Sequence, residues 1–486
     1  MSIPAGSVPE FDELYVISDL HLGGMPGFQI FNAGKEAERL ILHLRTTSPE
    51  KRVALVINGD LVDFLAEAPA RHFDPLGAVA KLNRIAGDSS FKPVWRALQQ
   101  FAATKNRCLV INLGNHDVEL ALPWVRARLL EILSDGKEAA CARIVLTFDG
   151  AGFRCRVGKA EILCVHGNEV DTWNVTDHEK IRRIGRDIVQ GRAVESWIPN
   201  AGTQLVIDVM NALKSKYPFI DLLKPEVEAV VPALLALAPD QRDKVGAVGA
   251  TARRLAWDQL RRATGLLGAG DEPAGPEAPA VRREGPFVEI DRERYAAELL
   301  RAAEERMRRG VDPMALVTSD QREGYLGAWG AAGKLFRGES RPEVLREALE
   351  DLAKDRSFDL DAEDAVFREL DELVGDVDFL VAGHTHLERA LRRRKRSGWY
   401  FNSGTWVRLI RLDRDVLEDK ERFGEVFRTF ESGKMADLDA FPNLVQRRLT
   451  VVAFRMSGAG TQGALHHLDL AAADLLSSPV AEFTRS

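Results

Sequence analysis

Short apolar runs punctuate the first third of the chain. Leu14–Ser18, Val53–Asn58, Cys108–Leu113, Arg143–Phe148 and Glu161–Val165 each span only a few residues, and several are rich in Val and Ile. Runs of that length and composition predict β-strands. Between them, Lys35–Arg45 and Pro93–Lys105 carry helical patterns. Strands alternating with helices are the grammar of an α/β protein.

The pattern changes after Asp171. From about Thr176 to Gly375 it predicts almost only helix, rich in Ala, Leu, Arg and Glu. The apolar run Ala201–Asp240 carries Pro218, Pro225 and Pro232, which predicts short broken helices. Gly265–Pro286 reads as a Gly/Pro/Ala/Glu linker, followed by amphipathic helices over Asp291–Arg309 and Pro342–Val374. Strand character returns at Asp378–Ala382, Trp399–Asn402 and Arg448–Arg455, and the stretch after Met456 reads as a peripheral tail. The expected organisation is one α/β domain in two parts, 1–175 and 376–456, interrupted by a helical insertion over 176–375 and followed by a tail over 457–486.

Composition adds three limits. Lys+Arg (66) against Asp+Glu (73) leaves a net charge of -7, which argues against a surface built throughout to grip nucleic acid. The four cysteines form no CxxC pair, so a zinc ribbon or disulfide framework is not expected. The start of the chain lacks a basic stretch leading into an apolar one, and no apolar run reaches about 18 residues. A cytoplasmic protein without a membrane span is the expectation; the oligomeric state is not legible.

The chemistry sits in five polar clusters at the ends of predicted strands. They are SDLHLGG (Ser18–Gly24), NGDLVD (Asn58–Asp63), GNHD (Gly114–Asp117), HGNEVD (His166–Asp171) and GHTH (Gly383–His386). Strand ends are where open α/β sheets place ligands. Five of the ten histidines fall in these clusters: His21, His116, His166, His384 and His386. That concentration is hard to explain by packing. Asp19 and His21 stand two apart, as do His384 and His386, so in extended backbone each pair points two donors to one side. Oxygen and imidazole donors without thiolate suit Mn, Fe, Zn, Co or Ni. Seven such donors exceed what one catalytic ion with an open position uses, whereas two ions sharing a carboxylate would use them all.

In this order the clusters resemble the calcineurin-like metallophosphoesterase superfamily, whose pattern runs DxH, GDxxD, GNH(D/E), H and GHxH. The resemblance covers about Leu14–Asp171 and Asp378–Trp406 and leaves the insertion unexplained. It implies a four-layer αββα sandwich core and two divalent ions, with Mn favoured. Asp19, His21 and His386 would hold one ion, Asn115, His166 and His384 the other, and Asp60 would bridge them. His116 would stabilise or protonate the leaving oxygen, with Asp117 orienting it. Asp63 is expected to support the ligands from behind, and Asp171 to take a weaker part in the site. The implied reaction is in-line attack on phosphorus by a hydroxide held between the ions, hydrolysing a phosphate ester or pyrophosphate. A phosphorylated small molecule, nucleotide or lipid headgroup is the expected substrate.

Branches of the superfamily differ at specific positions. Ser/Thr protein phosphatases show RG after GDxxD, where this chain has Phe64 and Leu65. The branch that hydrolyses UDP-diacylglucosamine commonly has Arg where this chain has His116. GNHD also resembles the SbcD-type nucleases, which makes a nuclease the first alternative and a catalytically silent metal-binding scaffold the second. Arg392–Arg396 (RRRKR) reads as a solvated hairpin turn or, with Arg392, as an anion-attracting rim. His43, His72, His178, His466 and His467, together with Trp173, Trp197 and Trp406, read as packing or surface residues.

Overall fold

The computed structural model describes residues 8–69, 71, 73–171, 174–193, 217–224, 233, 236–237, 340–350 and 356–485. The apolar run VALVIN becomes strand β3 (Val53–Asn58), buried at all six positions. Its side chains alternate: Val53, Leu55 and Ile57 enter one apolar core, and Ala54 and Val56 enter another. Two buried faces explain why the run is continuously apolar and not alternating.

The same partition holds for β2 (Glu13–Ile17) and β4 (Arg107–Asn112), which flank β3 in parallel. With β5 (Ile144–Thr147), β13 (Thr450–Ser457), β14 (Gly460–His467) and β15 (Pro479–Arg485) they build a seven-stranded sheet, ordered β15-β14-β13-β2-β3-β4-β5. A second sheet has six strands in the order β1-β6-β7-β8-β10-β9. These are Glu10–Phe11, Phe153–Val157, Ala160–Cys164, Phe379–Ala382, Trp399–Asn402 and Arg389–Arg392, respectively.

One core lies between the sheets and joins Val16, Val56, Val110, Ile162, Phe379 and Phe454. Helices α1 (Gly34–Thr46), α2 (Ala78–Gly87), α3 (Lys92–Ala103) and α4 (Pro123–Ser134) cover the outer face of the larger sheet. Helix Ala365–Leu373 covers the outer face of the smaller one through Val366, Phe367 and Leu370. Helix, sheet, sheet and helix form the four layers the motifs implied.

Three expectations change. The stretch after Met456 supplies β14 and β15, which extend the larger sheet from β13 by antiparallel pairing. Pro342–Val374 is two helices, Arg341–Ala348 and Ala365–Leu373, the second started by the Asp364 carboxylate accepting from Phe367 N–H. Strand β6 is an addition to the expected set, although FRCRV alternates arginine with buried apolar residues as a half-buried strand does. The insertion falls mostly outside the described residues, as do residues 201–216, Pro225 and Pro232, Gly265–Pro286, Asp291–Arg309, His72, Trp173 and Trp197. Described parts of it include helix His178–Val189 and a single turn over Pro218–Leu222. Among the described residues no helix is long and apolar enough to cross a membrane. All four cysteines are free thiols.

Candidate metal centre

The parallel strands of both sheets end on the same side, and the five polar clusters follow directly from β2, β3, β4, β7 and β8. Polar side chains stitch these ends together across the inter-sheet core. Asn58 donates to the Val165 carbonyl (2.7 Å), and Asn112 donates to Asn58 Oδ1 (2.6 Å) and to the Cys164 carbonyl (3.1 Å). Ser18 and Ser403 hydroxyls meet at 2.8 Å, and Asn402 donates to the Gly383 carbonyl (2.7 Å). Sequence reading missed Asn112 and Asn402 as supports. Their signal was a buried Asn closing an otherwise apolar strand.

The ligand candidates converge. Asp19, His21 and His386 offer atoms within 4.8 Å of one another, as do Asp19, Asp60 and His166; a third such group joins His21, Asp60 and His116. Asp60 is central. Its Oδ1 accepts from His116 N–H (2.9 Å), while its Oδ2 lies 3.2 Å from His166 Nε2 and 3.6 Å from His21 Nε2. His21 and His386 bring their Nε2 atoms to 3.0 Å, and His386 Nε2 lies 3.3 Å from Asp19 Oδ1.

Backbone strain accompanies the placement. Asp19, His21, Asp60, His384 and His386 all have positive φ, between 46° and 70°. Non-glycine residues avoid that region, and clusters of it mark functional sites. Two glycines make room. A Cβ on Gly59 (φ +91°) would stand 2.1 Å from His166 Nδ1, and one on Gly114 would stand 2.1 Å from Asp60 Oδ1.

The neighbours fix ring orientation. His166 Nδ1–H donates to the Asn58 carbonyl (2.8 Å), which turns Nε2 toward Asp60. His384 Nε2–H donates to Asp171 Oδ2 (2.8 Å), so Asp171 does join the site, behind a ligand candidate. Such outer partners orient metal-binding imidazoles. Glu169 accepts from His166 N–H and Gly167 N–H and pins the same loop.

His116 and Asp117 separate. Asp117 is fully buried, and its oxygens accept from Leu61 N–H (2.8 Å) and Gly114 N–H (2.7 Å). It braces two loops and does not reach the His116 ring. Asp63 stands there instead, with Oδ2 at 3.3 Å from His116 Nδ1 and 3.6 Å from His21 Nδ1. Adjacent residues in a tight turn point apart, so the orienting carboxylate comes from the neighbouring loop. Arg392 does not come to the site either. It lies at the far end of β9, paired with Trp399, whose ring its guanidinium covers at 5.6 Å. Asn402, at the other end of the same ladder, adjoins the centre.

Electrostatics follow from burial and charge together. Burial lowers His166, but the Asp60 carboxylate more than offsets it and holds the ring at about 10. Burial likewise opposes charge on Asp60 and Asp63, yet the surrounding imidazoles keep both below the ordinary carboxylate range. His116 is raised, with burial again outweighed by Asp63 and Asp60. His386 runs the other way, down to about 4, through burial and then the charge of Lys224. Protons thus serve as counter-charges where cations could sit, and ligand sites exchange one for the other.

The donor set fits metal. Asn115 Oδ1 is buried without a hydrogen-bond partner, and Asp19 Oδ1 and His166 Nε2 make no well-directed hydrogen bond, facing only His386 at 3.3 Å and Asp60 at 3.2 Å. Buried polar atoms without partners are costly and need an explanation. A carboxylate, an amide oxygen and an imidazole nitrogen have that explanation in common if they hold cations.

A nearby acid offers a clean pH test. Glu119 is buried, accepts from Asp74 N–H (2.9 Å), and is raised by burial from 4.5 to about 8. The folded state therefore keeps a proton that the unfolded chain releases above about 4.5. Stability from this group is full at low pH and drains away between about 4.5 and 8. In thermal melts the Glu119→Gln variant should gain on the wild type steadily across that window and hold a constant lead above it. A lead that does not grow with pH would show that Glu119 is ionised in the fold.

A two-sheet sandwich that gathers carboxylates and imidazoles at its strand ends is the arrangement the motifs implied. Residues 13–223 of the chain match the family model described as calcineurin-like phosphoesterase. No curated protein matches the chain.

Proposed function

We propose that this protein is a metal-dependent phosphoesterase using two divalent ions, and that it hydrolyses a phosphate ester or pyrophosphate of a small molecule, nucleotide or lipid headgroup. The carrying observation is the convergence on Asp60 of His21, His116 and His166 from three separate segments. In this reading Asp19, His21 and His386 would hold one ion, Asn115, His166 and His384 the other, and Asp60 would be shared by the two. Bound ions would supply charge neutralisation for phosphoryl oxygens and a water acidic enough to ionise near neutral pH. Mn is the favoured ion among Mn, Fe, Zn, Co and Ni, all of which the oxygen and imidazole donors admit.

The chain's own groups do the rest. Asp63 fixes the His116 ring through Nδ1 and favours its protonated form. His116 then delivers a proton to the departing oxygen, which is general acid catalysis. Asn58, Asn112, Asn402 and Asp171 keep the two halves of the site in register. The free thiols accord with a cytoplasmic setting.

The test is hydrolysis of p-nitrophenyl phosphate and its bis ester by purified protein with added Mn. Turnover is expected. Metal bound in stoichiometric amount without turnover under any divalent ion would replace the enzyme with a scaffold. Metal-dependent degradation of DNA in preference to small esters would move the assignment to a nuclease.

A further inference from the structure

A buried lysine behind the catalytic loops belongs to no motif. Lys81 lies on helix α2 and is only 1% exposed. Its Nζ donates to the Phe64 carbonyl (3.3 Å) and stands 3.5 Å from Asp74 Oδ2. Both contacts fall on the stretch that follows NGDLVD. Phe64 is tied on its other side too, since its N–H donates to the His116 carbonyl (3.2 Å). Asp74 N–H donates to Glu119 Oε1 (2.9 Å), three residues past His116, and the exposed Arg71 adds a longer contact to Asp74 at 3.8 Å. Phe64, Lys81, Asp74 and Glu119 thus close a ring of polar links that begins and ends on the GNHD loop.

Charge is costly in such a place. A buried ion pair contributes little net stability, and apolar side chains of similar volume often do as well or better. Leu82 and Ile85 on the same helix are what packing alone uses. What the ammonium adds is direction, because its rotatable donors hold a carbonyl and a carboxylate at once. The carbonyl it holds belongs to the residue directly after Asp63, and Asp63 Oδ2 faces His116 Nδ1 at 3.3 Å. The Asp63 side chain has little freedom of its own, since Oδ1 accepts from Leu65 N–H (2.9 Å) and Ala66 N–H (3.0 Å). A shift of the Phe64 peptide therefore carries the carboxylate with it relative to the His116 ring.

We propose that Lys81 is a positioning residue for His116: by gripping the Phe64 carbonyl and the Asp74 carboxylate it sets the separation of Asp63 from the ring, and so how well a proton reaches the leaving oxygen. The inference rests on the phosphoesterase reading for the destination of that proton, and on the contacts of Lys81 for its residue. Arg84, one turn further along α2, holds the same stretch through Glu67 (2.9 Å), which in turn accepts from Gly24 N–H (3.2 Å).

The experiment compares wild type, Lys81→Met and the double variant Lys81→Met/Asp74→Asn, which leaves no unpaired buried carboxylate, as full-length, Mn-loaded proteins. It measures bound metal, kcat for p-nitrophenyl and phenyl phosphates as monoesters and methyl diesters, the same rates in a His116→Gln background, and the crystal structure of each variant. Phenol departs less readily than p-nitrophenol and needs the proton more. A misplacement of about 1 Å costs about 100-fold, within the usual worth of a positioned acid. Both variants should keep their metal, lose about 10- to 100-fold on the phenyl esters and only a few-fold on the p-nitrophenyl esters. In the His116→Gln background the Lys81 change should have no further effect. In the crystals Asp63 Oδ2 should stand farther from His116 Nδ1 than in the wild type, or the ring should occupy more than one position. Equal losses on both leaving groups, an undiminished loss in the His116→Gln background, loss of metal, or failure of both variants to fold would make Lys81 merely structural and overturn the proposal. A wild type that hydrolyses none of the esters would sink the phosphoesterase reading instead, and the separation of Asp63 from His116 in the crystals would still decide Lys81.

Discussion

Asp60→Asn should empty the centre. The substitution removes one charge from the side chain on which both groups of ligand candidates converge. It also sets an amide where Oδ1 accepts from His116 N–H and where Oδ2 faces His166 and His21. An amide has one acceptor oxygen, so one of these directions receives N–H groups and becomes repulsive toward a donor or a cation. Mutating an outer partner of a metal ligand costs about 10–100-fold in metal affinity or activity, and a shared ligand should cost more. Elemental analysis after dialysis should find bound metal well below that of the wild type, and turnover should be undetectable. A companion melt separates metal loss from misfolding, because Asp60 is surrounded by polar side chains and not by core. Retention of two ions per chain would end the bridging role.

His116→Gln should produce the opposite pattern. Metal content should stay at the wild-type level while kcat falls by about 100- to 10,000-fold, the usual worth of a positioned acid or base. The loss should depend on the leaving group. p-Nitrophenol departs readily without a proton, whereas an alkyl alcohol does not, so alkyl phosphates should lose far more than aryl ones. Asp63→Asn should show a weaker version of the same selectivity, since Asp63 acts through the ring it holds at 3.3 Å. Loss of metal together with activity would make His116 a ligand, which its grouping with His21 and Asp60 makes a real alternative.

The catalytic core was legible wherever one signal dominated. VALVIN and WYFN announced β3 and β10 at the residues where the structure has them, because strands buried on both faces must be apolar throughout. Edge and hairpin strands were harder. The β14 sequence GTQGALHH mixes Gly, Gln and His, and β15 reads PVAEFTR with mostly exposed side chains. β14 sends Leu465 into the inter-sheet core and β15 packs Ala481 and Phe483 against it, but so few core positions among Gly, Gln, His and exposed residues leave a weak pattern in the sequence. The motif residues were readable because metal chemistry restricts donor types and spacing. Their supports were not. Asp63 over Asp117 as the partner of His116 depends on which way two loops face, and the grip of Lys81 on Phe64 depends on where helix α2 packs. Spacing along the sequence holds no information of that kind.

Strand β2 sits between β3, which follows it closely in sequence, and β13, whose Val452 pairs with Val16. During synthesis the early strands must therefore leave the ribosome with one hydrogen-bonding edge bare until β13, far downstream, has been translated. Exposed edges of that kind invite pairing with the wrong chain. Nascent protein would depend on chaperones through this interval, and a transcript cut short before β13 would yield aggregate, not a smaller enzyme.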